Sequence, residues 1–146
     1  MKFSGSKEIA KSRDEVVTYF ADPKYLGAYQ DGFVKKHLIS GDSGEKGAVS
    51  KMYYTSGKLN MELTETIITN RLPDYFESHY HHKHMDNFMR CHFISIDENR
   101  TRYDYEIEYT RIGWVMPKLM AILFPKIYRK QVEKWMTQFK DFVEAQ

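Results

Sequence analysis

The stretch "TRYDYEIEYTR" at 101 to 111 alternates strictly, with Tyr103, Tyr105, Ile107 and Tyr109 on one face and Arg102, Asp104, Glu106 and Glu108 on the other. A period of two with one apolar face predicts a strand covered on one side and wet on the other. Shorter stretches of the same kind run from 33 to 110, punctuated by "SGDSGEKG" at 40 to 47, "SGK" at 56 to 58, "NRLPD" at 70 to 74, "MDN" at 85 to 87 and "DENR" at 97 to 100. Turn chemistry at such intervals predicts about six strands in an antiparallel meander. Residues 2 to 11 read as a further strand at the start, giving about seven. After Gly113 the period becomes helical: Met120, Phe124, Ile127, Tyr128, Val132, Trp135, Phe139, Phe142 and Val143 oppose Lys126, Arg129, Lys130, Glu133, Lys134 and Lys140. That spacing predicts a long amphipathic C-terminal helix, kinked or begun afresh at Pro125, which lacks a backbone N–H.

Between the first strand and the meander, "SRDE" at 12 to 15 matches a capping box, with Ser12 accepting from a backbone N–H and Glu15 reaching back. A helix is predicted from Arg13 and is stopped by "ADP", because Pro23 disfavours helical geometry at Asp22. Asp22 and Pro23 can then cap and open a second short helix running to 29. The class is α+β, with two short helices after the first strand.

A chain of 146 residues suits one domain with one core. Lys and Arg number 22 against 20 Asp and Glu, so no basic excess points to nucleic acid. The lone Cys91 cannot form an internal disulfide, and the N-terminal "MKFSGSKEIAK" lacks a secretory apolar run, which together point to the cytoplasm. The most apolar stretch, "IGWVMPKLMAILFPKIY" at 112 to 128, carries Lys118 and two prolines and falls short of the ~20 apolar residues of a membrane span. It is expected in the core or over a cavity as a lid, with no stable membrane insertion.

The element order, carried by "SKEIAKSRDEVVTYFADPKYLGAYQDG" at 6 to 32, "GDSGEKGAV" at 41 to 49, "LPDYFESHY" at 72 to 80 and the C-terminal segment 108 to 145, resembles the helix-grip fold of the START-like (SRPBCC) superfamily. That superfamily includes polyketide cyclase/dehydrase and lipid transport proteins and relatives of the birch-pollen allergen. Tyr29 stands where many relatives have tryptophan. The resemblance implies a bent antiparallel sheet wrapped around the C-terminal helix and enclosing an apolar cavity. It further implies a small hydrophobic ligand of lipid, polyketide or isoprenoid-like chemistry. The expected lining is Tyr54, Met61, Leu63, Tyr80, His82, Tyr103, Tyr105, Tyr109, Phe124 and Tyr128, with tyrosine hydroxyls and His82 orienting the ligand. No cofactor is called for. Two alternatives stand beside this reading: a cyclase- or dehydrase-like enzyme using Glu65, His82 or a tyrosine as proton carrier, and a partner-binding module. Oligomeric state is left open.

"SHYHHKH" at 78 to 84 holds four of the six histidines. On a strand, Phe76, Ser78, Tyr80, His82 and His84 share one face, while Tyr75, Glu77, His79, His81 and Lys83 share the other. His79 and His81 are read as surface residues. A three-residue loop at "MDN" would bring His82, His84 and His92 to one face; a two-residue loop would turn His92 outward. No metal site is assigned, since zinc needs at least three protein ligands. Cys91 is read as a small apolar filler. Glu65 alternates with Met61, Leu63 and Ile67, yet a bulge turning it to solvent is the favoured reading. The glycine loop "GDSGEKG" is read as a turn, which the resemblance implies is mobile and near the cavity entrance, and the basic side of the last helix is read as a solvated face.

Overall fold

The computed structural model describes the backbone of residues 1–112 and 118–146 and the side chains of residues 1–112 and 126–146. The expectations for the segment 114–124, including the lid and the site residue Phe124, lie outside the described side chains.

Strand β1 (Lys2–Ile9) is followed by helix α1 (Arg13–Ala21), a 3-10 turn (Pro23–Tyr25) and the short helix α2 (Leu26–Tyr29). Ser12 caps α1 by accepting from the Glu15 N–H at 3.3 Å. Glu15 lies by Lys11 at 3.8 Å, so the structure makes the forward half of the capping box. Asp22 accepts from the Lys24 N–H at 3.0 Å and opens the next turn, as the Asp-Pro pair predicts.

Strands β2 (Phe33–Ser40), β3 (Val49–Ser56), β4 (Leu59–Arg71), β5 (Tyr75–His82), β6 (Met85–Asp97) and β7 (Arg100–Ile112) then form an antiparallel meander. With β1 returning beside β7, the seven-stranded order is β1-β7-β6-β5-β4-β3-β2. Register shifts interrupt the ladders at Phe33/Lys35 and Leu38/Ser40, at Ile67/Thr69, and at Asp86/Asn87 and Ser95/Asp97. Such bulges raise local twist and bend a sheet, which lets this one curl around a helix.

Helix α3 (Lys118–Glu144) closes the chain and runs as one helix through position 125, so it does not begin afresh at Pro125. Val132, Trp135, Met136, Phe139, Phe142 and Val143 form its core face. Ile127 departs from the expected stripe: at 54 % exposure it lies on the wet side with Lys126 and Arg129. Residues 126 to 129 extend past the main core cluster, where burying every apolar position is not required.

The core is built largely from rings. Phe20 meets Phe76, Phe93, Tyr103 and Phe139 at tilted or edge-on angles, with centroids 4.9 to 6.3 Å apart. Edge-to-face pairs of this kind add about 0.5–1.5 kcal/mol each beyond area burial. Tyr103, Tyr105, Ile107 and Tyr109 on β7 are all buried, as the alternation predicts.

Candidate functional site

A cavity of about 200 Å³ lies between the concave face of the sheet and α3. Phe20 of α1, Leu26 and Tyr29 of α2, and Trp135, Met136 and Phe139 of α3 form one wall. The sheet supplies Met52, Ile67, Phe76, Tyr80, Met89 and Tyr103. Rings and thioethers therefore make up most of the apolar part of its lining, giving polarizable flat walls that adapt to planar apolar groups.

One end is polar. Glu65 lines the cavity at only 4 % exposure, so the bulge that was expected to turn it outward does not act there. The register shift falls later, between Ile67 and Thr69, and Glu65 keeps the inward phase of Leu63 and Ile67. Tyr80 is its direct cross-strand partner and donates its hydroxyl to Glu65 Oε2 at 2.8 Å. Lys36, which also faces the cavity from β2, reaches past β3 to place Nζ 2.7 Å from Glu65 Oε1. Burial first, and the Glu65 charge second, hold the Tyr80 phenol well above its usual range, so it remains a donor. Burial likewise raises Tyr29 and Tyr54.

The mouth beside this polar end is bordered by Gln30, Ser43, Gly44 and Asn70. Asn70 donates to the Gly44 carbonyl at 2.6 Å, and Gly47 N–H donates to the Ile67 carbonyl at 2.7 Å. The glycine loop is thus clipped to β4 at two points, which the sequence alone does not reveal. In the same wall, the indole N–H of Trp135 is buried and finds no acceptor among the described residues, while its ring stacks on Tyr54 at 5.7 Å.

Of the ten residues expected to line a cavity, Tyr80 and Tyr103 line this one. Tyr54 lies behind it, buried, with its hydroxyl donating to Gln30 Oε1 at 2.8 Å. Met61 and Leu63 are half-buried against the same cluster. Tyr105 is buried and opens instead to a shallow groove between β1 and α3, beside Gly5, Lys130 and Glu133. Tyr109 and Tyr128 belong to a second cluster with Phe3 and Ile107, and their rings meet at 5.3 Å.

His82 stands at the end of β5, its ring 5.6 Å from that of His84. Loss of solvent first, and His84 second, hold its imidazole below the usual histidine range. The hairpin turn is Lys83–His84 and not "MDN", because His82 pairs directly with Met85. This two-residue loop pairs Tyr75 with His92 and sends His92 to the outer face, so His82, His84 and His92 do not share a face. Among the described residues no group of three or more His, Cys, Asp or Glu is arranged to hold a metal. On the outer face His79 packs on Phe88 at 4.8 Å and His81 pairs with Asp86.

No protein-family model matches the chain, and no curated protein is significantly similar in sequence. Solved structures tell more. A START superfamily protein from Mycobacterium smegmatis superposes with a TM-score of 0.80 at 10 % identity, over 99 % of this chain and 97 % of that one. The chain has the START-like helix-grip fold. Two further helix-grip structures extend the likeness. The Zhui aromatase/cyclase from Streptomyces sp. R1128 gives a TM-score of 0.79 at 10 % identity, covering 99 % and 93 % of the two chains. Norcoclaurine synthase from Thalictrum flavum, in complex with dopamine and hydroxybenzaldehyde, gives 0.69 at 16 %, covering 98 % and 86 %. At these identities the helix-grip likeness is one of fold, and the chemistry of this chain rests on its own residues.

Lys36, Phe20, Trp135 and Met136 were absent from the expected lining. The helix residues carry the 3.6-residue signal of a core face, which does not distinguish packing from cavity wall. Lys36 gives no local signal at all: its partner lies two strands away, and only the sheet register joins them.

Proposed function

We propose that the chain binds a small hydrophobic ligand in the cavity between the sheet and α3. The supporting observation is the cavity itself: ring- and methionine-lined, with one buried polar cluster at Glu65. Binding sites are typically apolar enclosures with a few placed polar groups, and this one has that composition. Its volume of about 200 Å³ lies below the roughly 300–1,000 Å³ of drug-sized pockets and above the roughly 150 Å³ that accommodates benzene. Among lipid, polyketide and isoprenoid-like candidates, compact ring-bearing or short isoprenoid molecules suit it better than a full acyl chain. Among the described residues, no helix is long and apolar enough to cross a membrane. A cytoplasmic setting accords with a buried, unpaired Cys91.

Native mass spectrometry of the protein as purified, followed by denaturation, tests this reading. The expected result is an organic adduct lost on unfolding and absent from Ile67→Phe, in which the wall is filled. An adduct equally retained by that variant, or an empty protein whose Trp135 fluorescence ignores a panel of hydrophobic molecules in a Trp114→Phe background, would sink it.

A second reading, proton-transfer catalysis of the cyclase or dehydrase kind, draws support from Glu65. A buried carboxylate at the polar end of a ring-lined cavity, paired with a phenol, is an arrangement suited to general acid–base chemistry. Conversion of a bound ligand by the wild type but not by Glu65→Gln would favour it over simple binding.

A further inference from the structure

The geometry points to a ligand class: a compact, uncharged aromatic carrying one hydroxyl, whose O–H is accepted by Glu65 inside the Lys36–Glu65–Tyr80 cluster. This rests on the cavity-binding reading and adds what the polar end selects.

Three observations converge. The first is the inventory of donors and acceptors around the carboxylate. Two carboxylate oxygens offer about four acceptor positions. Tyr80 takes one on Oε2 and Lys36 one on Oε1, leaving room for another donor where Glu65 lines the cavity. Tyr80 is held as a protonated donor to Glu65, and a charged carboxylate accepts more strongly than a phenol oxygen, so an incoming hydroxyl is directed to Glu65.

The second is charge. Glu65 at 6 % side-chain exposure is already matched by the Lys36 ammonium, so the cluster is close to neutral as a unit. A ligand cation finds no uncompensated anion there, and a ligand carboxylate finds no uncompensated cation, since the Lys36 ammonium is already engaged by Glu65, so either charge would be desolvated without a free partner. A neutral hydroxyl meets neither penalty. It gains a hydrogen bond to a charged acceptor, among the stronger kinds.

The third is shape. The void of about 200 Å³ leads from Glu65 into walls built by Tyr29, Phe76, Tyr103, Trp135 and Phe139. Flat rings offer dispersion contacts to a planar ligand face, and Met52, Met89 and Met136 can fill gaps around it. Apolar burial thus supplies affinity, and the hydroxyl fixes which end enters.

Calorimetric titration with 4-propylphenol, propylbenzene, 4-propylanisole and 4-propylbenzoate tests this class. Hydrogen bonds to charged groups contribute about 1.5–3 kcal/mol, so the phenol is expected to bind roughly tenfold or more tightly than the hydrocarbon or the ether. The benzoate is expected to be the weakest ligand. In Lys36→Met/Glu65→Leu, which replaces the ion pair by apolar groups, the phenol preference should vanish while propylbenzene still binds. Equal binding of phenol and hydrocarbon to the wild type overturns the class and leaves the hydrophobic-cavity reading intact, as does tighter binding of the benzoate. A phenol preference that persists in the double variant also overturns it, by placing the acceptor elsewhere. Failure of all four together with a short isoprenoid alcohol such as geraniol overturns both readings.

Discussion

Tyr80 and Glu65 face each other as direct partners on adjacent strands, and the phenol donates to the carboxylate at 2.8 Å inside the core. Lys36 completes the cluster from the far side of β3. Such a buried charge is tolerable only while its partners remain. Lys36→Met is expected to lower stability by about 3 kcal/mol, because a carboxylate is left with one neutral donor. Lys36→Met/Glu65→Leu should recover most of that loss, since an apolar replacement of the whole pair removes the desolvation cost as well. Urea unfolding of the wild type and the two variants measures both steps; a double variant no more stable than Lys36→Met would show that the unpaired charge is not the cause.

Gly5 makes room for a ring. A Cβ at this position would stand 2.2 Å from Tyr105 Oη and 2.4 Å from its Cζ, and Tyr105 is itself buried. The pair sit opposite each other on β1 and β7, where a side chain at 5 would compete for the same inner-face space. Gly5→Ala is expected to cost about 1–3 kcal/mol as an overpacked site. In a Tyr105→Leu background the same change should cost less, and the double-mutant cycle reads that coupling directly. Additive costs would place the strain elsewhere.

His82 gives a pH dependence whose sign follows from its environment. Loss of solvent, reinforced by His84, lowers its pKa below the ordinary value of 6.5. The unfolded chain therefore binds a proton that the folded chain resists between those two values. Stability should fall as pH drops from about 6.5 toward the folded-state value, and this contribution should be absent at pH 8. Comparing His82→Asn with the wild type by thermal unfolding, the variant is expected to gain relative stability at pH 5.5 but not at pH 8. NMR titration of the imidazole would contradict the account if its midpoint lay at or above 6.5.

The Cys91 thiol should be inert in the folded protein. It is fully buried, 3.3 Å from the Tyr103 hydroxyl, and burial pushes its pKa up to about 12. A thiol is nucleophilic only as thiolate, and access is also needed. Reaction with Ellman's reagent is expected only in denaturant, with a rate that follows unfolding. Rapid modification under native conditions would mean that β6 opens readily near Cys91.

Much of the fold was legible because its signals are local. The alternation on β7 placed Tyr103, Tyr105, Ile107 and Tyr109 on one buried face, and the caps at Ser12 and Asp22 appear where the residue types allow them. The histidine hairpin was not legible in the same way. A turn at Lys83–His84 and a turn at "MDN" suit similar residue types, yet a change of one residue in loop length sends His92 to the opposite face.

The sequence by itself determined the element order, the buried face of β7 and most of the amphipathic stripe of the last helix, because each depends on residues within a turn or two of one another. Only the tertiary structure decided that Lys36, Glu65 and Tyr80 meet at one end of a ring-lined cavity. That meeting depends on where the bulges fall, on pairing register, and on a sheet curved enough to bring β2, β4 and β5 around α3. None of these is a property of any short segment.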